Sequence, residues 1–202
     1  MFIALLALCC GNGSESRIQE HAFESLVRID ALRDGEWVFI GSGTYVEDAV
    51  TETGKSVLTA EHVPANETAL RLCGHYKGQI VCTASSTFYN KDGLSYVQVH
   101  EQIATPAKVA KLPLYLTEPV FVQGWPDGNL TVYTGQVVTN TQGLYAIVGG
   151  WCGHGISGGG VFDSSGHLAG LVQAMPAYEV LAPDGTIQEL SIQTVCFAQS
   201  LH

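Results

Sequence analysis

The sequence predicts an all-β protein, and three observations lead to that prediction. Short apolar runs rich in β-branched residues recur along the chain, and each is bounded by Gly, Asn or Asp. The chain has 23 glycines among 202 residues, which favours tight turns between short strands. No stretch has sustained helical periodicity and no strand–helix alternation occurs, so a doubly wound α/β sheet is disfavoured.

The strands are predicted in chain order, starting with an N-terminal stretch, RIQEHAFESLVRID, whose pattern fits either a helix or a strand. Asp34-Gly35 is a hairpin turn signal that leads into the strand WVFIGSGTYV. Further strands are predicted at SVLTAEH, ALRLCG, QIVCTAS and LSYVQVH. A Pro- and Lys-rich connection, EQIATPAKVAKLPLYLTEP, separates these from VFVQGW, LTVYTGQVVT, GLYAIVGG, GVFD, HLAGLVQA and IQELSIQTVCFAQ. This spacing is typical of a sandwich or barrel.

Residues 1–16 are predicted to be a leader or a membrane or lipid anchor. The run MFIALLALCC has the length of a signal-peptide apolar region and is too short to span a bilayer alone. Cys9 and Cys10, followed by polar residues, resemble a bacterial lipoprotein processing site. The alternative is an apolar N-terminus without a targeting role. A secreted, periplasmic or membrane-anchored protein is therefore expected.

Charge and composition exclude some partners. The 19 acidic residues outnumber the 9 basic ones, and the net charge of −10 would repel a nucleic-acid backbone. The histidines have no metal-ligand spacing and no CxxC pair is present, so neither a metal nor a cofactor is predicted. The oligomeric state is left open.

Four cysteines beyond the N-terminal run allow three pairings. CGHYKGQIVC reads as a hairpin that would set Cys73 opposite Cys82, which leaves Cys152 with Cys196. With a leader, such pairs indicate an oxidising compartment. Four buried free thiols are the alternative.

The stretch GHGISGGGVF places Ser157 among five glycines. A serine nucleophile needs a general base, a group that orients this base, and N–H donors for the oxyanion. The amides of Gly155 and Ser157 are candidate donors, because a turn that aims two N–H groups at one point forms most easily without Cβ atoms. His62, at the end of an apolar strand, is the candidate base, and Asp92, just before another strand, is the candidate orienting carboxylate.

Taken together and in this order, GSGTYV, VLTAEHV, an aspartate ahead of a β run, and GISGGG resemble the trypsin-like serine peptidases of the chymotrypsin fold. The likeness is nearest to the HtrA-like and glutamyl-peptidase-like bacterial branches, without a PDZ domain. EPVFVQGWPDGNLTVYTGQVV resembles the region that opens the second barrel, and GHLAGLVQA resembles the strand that lines the primary specificity pocket. The resemblance covers residues 25–197.

The resemblance implies two antiparallel six-stranded β-barrels, at residues 17–110 and 111–202, with the active site in the cleft between them. It also implies a serine endopeptidase that cleaves a protein or peptide through an acyl-enzyme. His62, Asp92 and Ser157 would form the catalytic triad. The pocket residues implied by the resemblance are Trp151, Val172, Gln173 and Ala174, and a small or medium apolar residue is expected before the scissile bond.

Two other readings compete. The Gly-x-Ser-x-Gly pattern also fits the nucleophile elbow of α/β-hydrolases, but that fold needs a helix directly after the serine, and GGGVFDSSG cannot begin one. A catalytically silent, peptidase-like binding module remains as the alternative. Two departures from the family pattern favour this alternative. Glu61 stands where a small residue is commoner in the family, and Gly160 stands where proline is usual.

Overall fold

Antiparallel β-strands make up nearly all regular structure of the chain in a computed structural model, which describes residues 20, 22–48, 50–174, 177–181 and 187–202. The predicted leader or anchor at residues 1–16 lies outside the described residues. Residues 22–25 form a helical turn, so the ambiguous N-terminal stretch contains both a helical turn and the start of a strand. No helix in the described ranges is long and apolar enough to cross a membrane.

The N-terminal half is a seven-stranded sheet. Its strands are β1 (Leu26–Arg33), β2 (Glu36–Glu47), β3 (Lys55–Ala60), β4 (Leu70–Tyr76), β5 (Gln79–Ser85), β6 (Phe88–Lys91) and β7 (Leu94–Gln98). They pair in the order β5-β4-β1-β2-β3-β7-β6. The six-stranded closed barrel expected here is not confirmed, because a short hairpin adds β6 at one edge and no ladder joins β6 to β5 in the described part of the chain.

The C-terminal half contains the predicted six-stranded barrel. Its strands are β8 (Pro119–Gly124), β9 (Thr131–Thr141), β10 (Leu144–Val148), β11 (Gly160–Phe162), β12 (Leu168–Ala174) and β15 (Val195–Ser200). They close in the order β10-β15-β12-β11-β8-β9. β13 (Ala177–Leu181) and β14 (Ile187–Ser191) form a separate hairpin, and Pro126–Gly128 is a 3₁₀ turn. The predicted division at residue 110 falls in the segment between β7 and β8, and it stays a prediction.

Each half has its own core, which follows from the alternation of apolar side chains along the strands. Val27, Ile29 and Ala31 of β1 are fully buried and pack in one cluster with residues of β2, β3, β4 and β7. Val120 and Val122 of β8 belong to a second cluster inside the barrel. Burying one face of every strand sets the register, since a shift by one residue would expose the apolar set.

The predicted turn and disulfides are confirmed. Asp34 and Gly35 have φ of 52° and 84°, as a tight β1–β2 hairpin requires. Cys73 and Cys82 occupy directly paired positions on β4 and β5 and are disulfide-bonded. A second disulfide joins Cys152 to Cys196 on β15, and it ties the segment that precedes Ser157 to the barrel wall.

Candidate active site

The glycine loop at residues 153–159 carries Ser157 and lies between β10 and β11. The Gly158 amide donates to the Val172 carbonyl at 2.7 Å, and the Val172 amide donates to the Gly159 carbonyl at 2.9 Å. Ser157 itself is half-buried, and its Oγ donates to the main-chain oxygen of Gln173 at 3.1 Å. The loop is therefore anchored to β12 at the serine and at the two glycines that follow it.

Two glycines of this loop have no room for a side chain. Gly155 has φ +88°, and a Cβ there would lie 2.4 Å from Cε1 of Phe39. Gly158 has φ +83°, and a Cβ there would lie 2.1 Å from the Ser42 carbonyl oxygen. Both residues thus combine a left-handed backbone with a close contact to β2, which only glycine accommodates without strain. The glycines therefore allow the loop both to turn and to pack closely against β2.

The amides proposed for the oxyanion hole have no acceptor within the described residues. Neither the Gly155 nor the Ser157 N–H donates to any of them. The carbonyl of His154 accepts the Asp127 amide at 2.5 Å. Because the His154–Gly155 peptide is trans, its N–H points away from the Asp127 loop. Two unpaired amides beside a serine hydroxyl are the donors that an oxyanion requires.

Ser42 on β2 joins the loop to both halves of the molecule. Its buried Oγ accepts the Trp125 amide at 2.8 Å and donates to the Gly155 carbonyl at 2.7 Å. Its amide donates to the Ser157 carbonyl at 2.9 Å, and its own carbonyl accepts the Thr59 hydroxyl at 2.7 Å. Ser42 belongs to the GSGTYV motif, but no role for it was predicted. Its contacts with Trp125, Gly155 and Ser157 join positions more than 80 residues apart, which local sequence does not record.

For the peptidase that the sequence predicts, replacing Ser42 with alanine is expected to lower kcat by about 10- to 100-fold with little change in KM, because the hydroxyl that bonds Gly155 in the glycine loop and Trp125 beside it is lost. Steady-state hydrolysis of a peptide substrate measures the two constants separately. Ser200→Ala is the matched control, since Ser200 is equally buried and its hydroxyl bonds Tyr145 away from Ser157. An unchanged kcat in Ser42→Ala would contradict the role.

His62 lies in the turn that follows β3, close to the Ser157 loop. Val63, the next residue, places Cγ1 2.9 Å from the point where a Cβ of Gly41 would lie, and the Ser157 carbonyl oxygen is 3.4 Å from the same point. On the other side of His62, the Glu61 amide donates to the Gly93 carbonyl at 3.2 Å. The main chain therefore brings the three predicted triad segments to one end of the N-terminal sheet.

The side chains of the three segments are not bonded to one another. Within the described residues, no hydrogen bond or ion pair joins His62 to Asp92 or to Ser157. Asp92 is exposed at φ 54° in the β6–β7 turn. Burial raises the pKa of Tyr96, and the charges of Asp48 and Asp92 raise it further. Burial alone lowers the pKa of His62. In this conformation the Asp92 charge acts on Tyr96 and not on the imidazole.

The predicted pocket residues flank Ser157 on β12 and on the segment before the loop. Trp151 is 45% exposed, Val172 is buried, Gln173 is half-buried and Ala174 is exposed. The amide Nε2 of Gln173 is buried without a hydrogen-bond partner in the described structure. The preference for an apolar residue before the scissile bond stays a prediction.

One carboxylate near this pocket was missed. The β8–β9 loop brings Asp127 beside the segment that precedes Ser157, with Asp127 Oδ2 2.7 Å from the position of a Cβ on Gly153. Local sequence gave no signal for this contact between distant loops. In the described part of the chain, no group of three or more His, Cys, Asp or Glu side chains has an arrangement that could hold a metal ion.

No protein-family model and no curated protein matches the chain. Several solved structures do match it over nearly its whole length. The Rv3671c protease of M. tuberculosis, in an inactive form, is 17% identical with a TM-score of 0.64, and the match covers 93% of this chain and 89% of that one. A serine endoprotease from Yersinia pestis is 14% identical with a TM-score of 0.67, and the match covers 95% of this chain and 64% of that one.

The HtrA-type protease AlgW, bound to a tripeptide, is 16% identical with a TM-score of 0.65. The match covers 92% of this chain and 59% of that one, so this chain spans somewhat under two thirds of the Yersinia and AlgW chains. At these identities the comparison concerns architecture. The chain has the chymotrypsin fold, which is the fold of trypsin-like serine peptidases, as the motifs predicted.

Proposed function

We propose that the protein is a serine endopeptidase that hydrolyses peptide bonds through an acyl-enzyme. The observation that carries this proposal is the Ser157 loop, in which two unpaired amides flank a half-buried hydroxyl and which is docked beside the His62 turn. The chymotrypsin fold supports it, because this fold is found in the serine proteases that the chain matches. AlgW with its bound tripeptide supports a peptide as the substrate.

In the proposed reaction, Ser157 Oγ turns from the Gln173 carbonyl toward His62 and attacks the scissile carbonyl carbon. Neutral His62 takes the hydroxyl proton, and the Gly155 and Ser157 amides stabilise the oxyanion. The tetrahedral intermediate collapses when the protonated imidazole gives its proton to the leaving amine. Water then attacks the acyl-enzyme by the same route and regenerates the serine.

Asp92 is proposed to orient His62 after a side-chain rotation in its exposed turn. The Glu61–Gly93 main-chain hydrogen bond keeps this turn beside the His62 turn. A carboxylate that accepts the imidazole N–H fixes the tautomer that can take the serine proton. Asp92 therefore contributes once substrate has assembled the site.

The activity is expected to persist below pH 6.5. Partial burial lowers the pKa of the exposed His62 from its ordinary value of 6.5, and no carboxylate among the described residues raises it. The base works as neutral imidazole, so kcat/KM should fall with decreasing pH only below 6.5 and stay level above it. A pH series of kcat/KM measures the midpoint. Asp92→Asn should lower the plateau without moving the midpoint, whereas a wild-type midpoint at 7 or above would contradict the assignment.

A fluorophosphonate probe tests the proposed function directly. We expect the folded wild-type protein to be labelled at Ser157, as mass spectrometry of the labelled peptide would show. Labelling should disappear in Ser157→Ala and in His62→Ala. The probe requires an activated serine but no knowledge of the natural substrate.

The second candidate is a catalytically silent binding module, and one observation favours it. The Ser157 hydroxyl bonds the Gln173 carbonyl, and His62 has no side-chain partner among the described residues. Folded wild-type protein that takes up no probe would support this candidate. Either function fits an oxidising compartment, which the two disulfides support.

A further inference from the structure

The segment between β7 and β8 exposes large apolar side chains on one surface. Relative exposures are 44% for Val109, 64% for Leu112, 64% for Tyr115 and 59% for Leu116. Two exposed lysines stand among them in the sequence. Exposed apolar residues that cluster in this way mark interaction sites more often than scattered ones do. We name this surface the connector face, and it comprises Lys108, Val109, Lys111, Leu112, Tyr115 and Leu116.

The backbone of the connector face is fixed to the barrel. The Ala110 amide donates to the Leu168 carbonyl at 2.8 Å, and the Leu168 amide donates to the Lys108 carbonyl at 2.7 Å. Leu114 is buried, and its amide and carbonyl bond the side chains of Tyr145 and Asn140. The apolar side chains are thus presented by an anchored segment.

The lysines of the connector face are available to an external anion. No ion pair or side-chain hydrogen bond to a described residue engages Lys108 or Lys111. The carboxylates of Glu118 and Asp163 lie on the same surface, where they accept the Tyr115 and His167 amides and form no ion pair with either lysine. The protein has a net charge of −10 and only 9 basic residues, so two lysines without an ion pair to a described residue, beside apolar side chains, are unusual.

The described chain begins next to this face. The Glu24 carbonyl accepts the Thr105 amide at 2.9 Å, and Thr105 is only three residues before Lys108. The segment that precedes residue 20 contains the apolar run FIALLAL at residues 2–8. The described chain thus contacts the start of the segment that carries the exposed leucines and lysines, and the sequence ahead of it includes an apolar run.

We propose that the connector face lies on an anionic lipid membrane. Leu112, Tyr115 and Leu116 would enter the boundary between headgroups and acyl chains, while Lys108 and Lys111 keep their ammonium groups at the lipid phosphates. A lipid surface explains the combination of apolar and cationic groups on this face. The proposal does not depend on catalysis.

Membrane contact through this face leaves the candidate active site accessible. β12 leads from Leu168, which bonds the connector segment, to Gln173, which bonds Ser157. Five residues of strand cover about 17 Å. The Ser157 cleft is therefore displaced from the lipid by about the length of a strand.

Vesicle flotation of the full chain tests the proposal with phosphatidylcholine vesicles that contain or lack phosphatidylglycerol. Wild-type protein is expected to float with the anionic vesicles. The triple variant Leu112→Ser, Tyr115→Ser, Leu116→Ser and the double variant Lys108→Glu, Lys111→Glu should each bind at least about tenfold more weakly. Leu32→Ser with Val138→Ser, and Lys77→Glu with Lys91→Glu, are matched controls that should bind like wild type. Thermal unfolding checks that every variant is folded.

A fluorescent reporter shows whether this face itself meets the lipid. Tyr115→Trp should give a blue-shifted emission with anionic vesicles and be quenched by brominated lipid, whereas Tyr89→Trp, at another exposed site, should not. The proposal is overturned if the connector variants float like wild type, which would assign binding to the N-terminal run alone. It is also overturned if the wild-type protein does not bind anionic vesicles. The same holds if the triple variant floats like wild type but no longer forms a concentration-dependent dimer. Ser157→Ala should float normally, so failure of the proposed function leaves this result unaffected.

Discussion

Replacing Ser157 with alanine is expected to reduce peptide hydrolysis to a residual rate of about 10³ to 10⁴ over water, which reflects the oxyanion hole and substrate binding alone. The loss arises because Ser157 Oγ is the proposed nucleophile, and alanine leaves no hydroxyl at that position to attack the scissile carbonyl. Steady-state kinetics with a quenched fluorescent peptide measures it. His62→Ala should give a loss of the same order, because nucleophile and base act as a unit.

The control for this experiment is Ser164→Ala, which alters an exposed serine of the next turn and should leave kcat/KM unchanged. The double variant Ser157→Ala, His62→Ala should be no slower than either single variant. Full activity in Ser157→Ala would refute the acyl-enzyme mechanism. Additive losses in the double variant would show that the two residues do not cooperate.

Replacing Gly158 with alanine is expected to lower kcat by at least about 100-fold, since displacing a reacting group by about 1 Å has that effect. The new Cβ would lie 2.1 Å from the Ser42 carbonyl oxygen and from the Thr59 hydroxyl oxygen, so the loop must move away from β2 and β3. The positive φ adds about 1–2 kcal/mol of backbone strain. Kinetics and thermal unfolding of the same preparation separate the two effects.

Gly78→Ala is the matched control, because Gly78 has φ +76° but no atom within 4 Å of the added Cβ. It should show the backbone strain alone, with a lowered Tm and a normal kcat per folded molecule. If Gly158→Ala retained wild-type kcat, the docking of the loop on β2 would not position Ser157.

Local patterns predicted the strands, the Asp34-Gly35 hairpin and the Cys73–Cys82 pair, because each depends on residues close in the chain. The chymotrypsin fold required several motifs in order, since no single motif specifies it. The strand β6 was missed because its four residues, FYNK, do not alternate apolar and polar side chains. β13 was also not predicted, and IQELSIQTVCFAQ, predicted as one run, forms β14 and β15.

The side-chain contacts of the site could not be predicted from the sequence, for a different reason. The Ser42 contacts and the approach of Asp127 to Gly153 join residues far apart in the chain, so neither periodicity nor spacing records them. Likewise, the order of His62, Asp92 and Ser157 identifies candidates but not the direction in which each side chain points. That direction depends on rotamers selected by neighbours from other strands.

The contact between the two halves of the molecule depends on hydrogen bonds made by Ser42. A single residue of the N-terminal sheet bonds the nucleophile loop, the β8–β9 loop and its own neighbouring strand. The halves cannot separate along the cleft without freeing the Gly155 and Ser157 carbonyls from their donors. Opening of the cleft and loss of the fixed conformation of the Gly155–Ser157 segment are therefore expected to occur together.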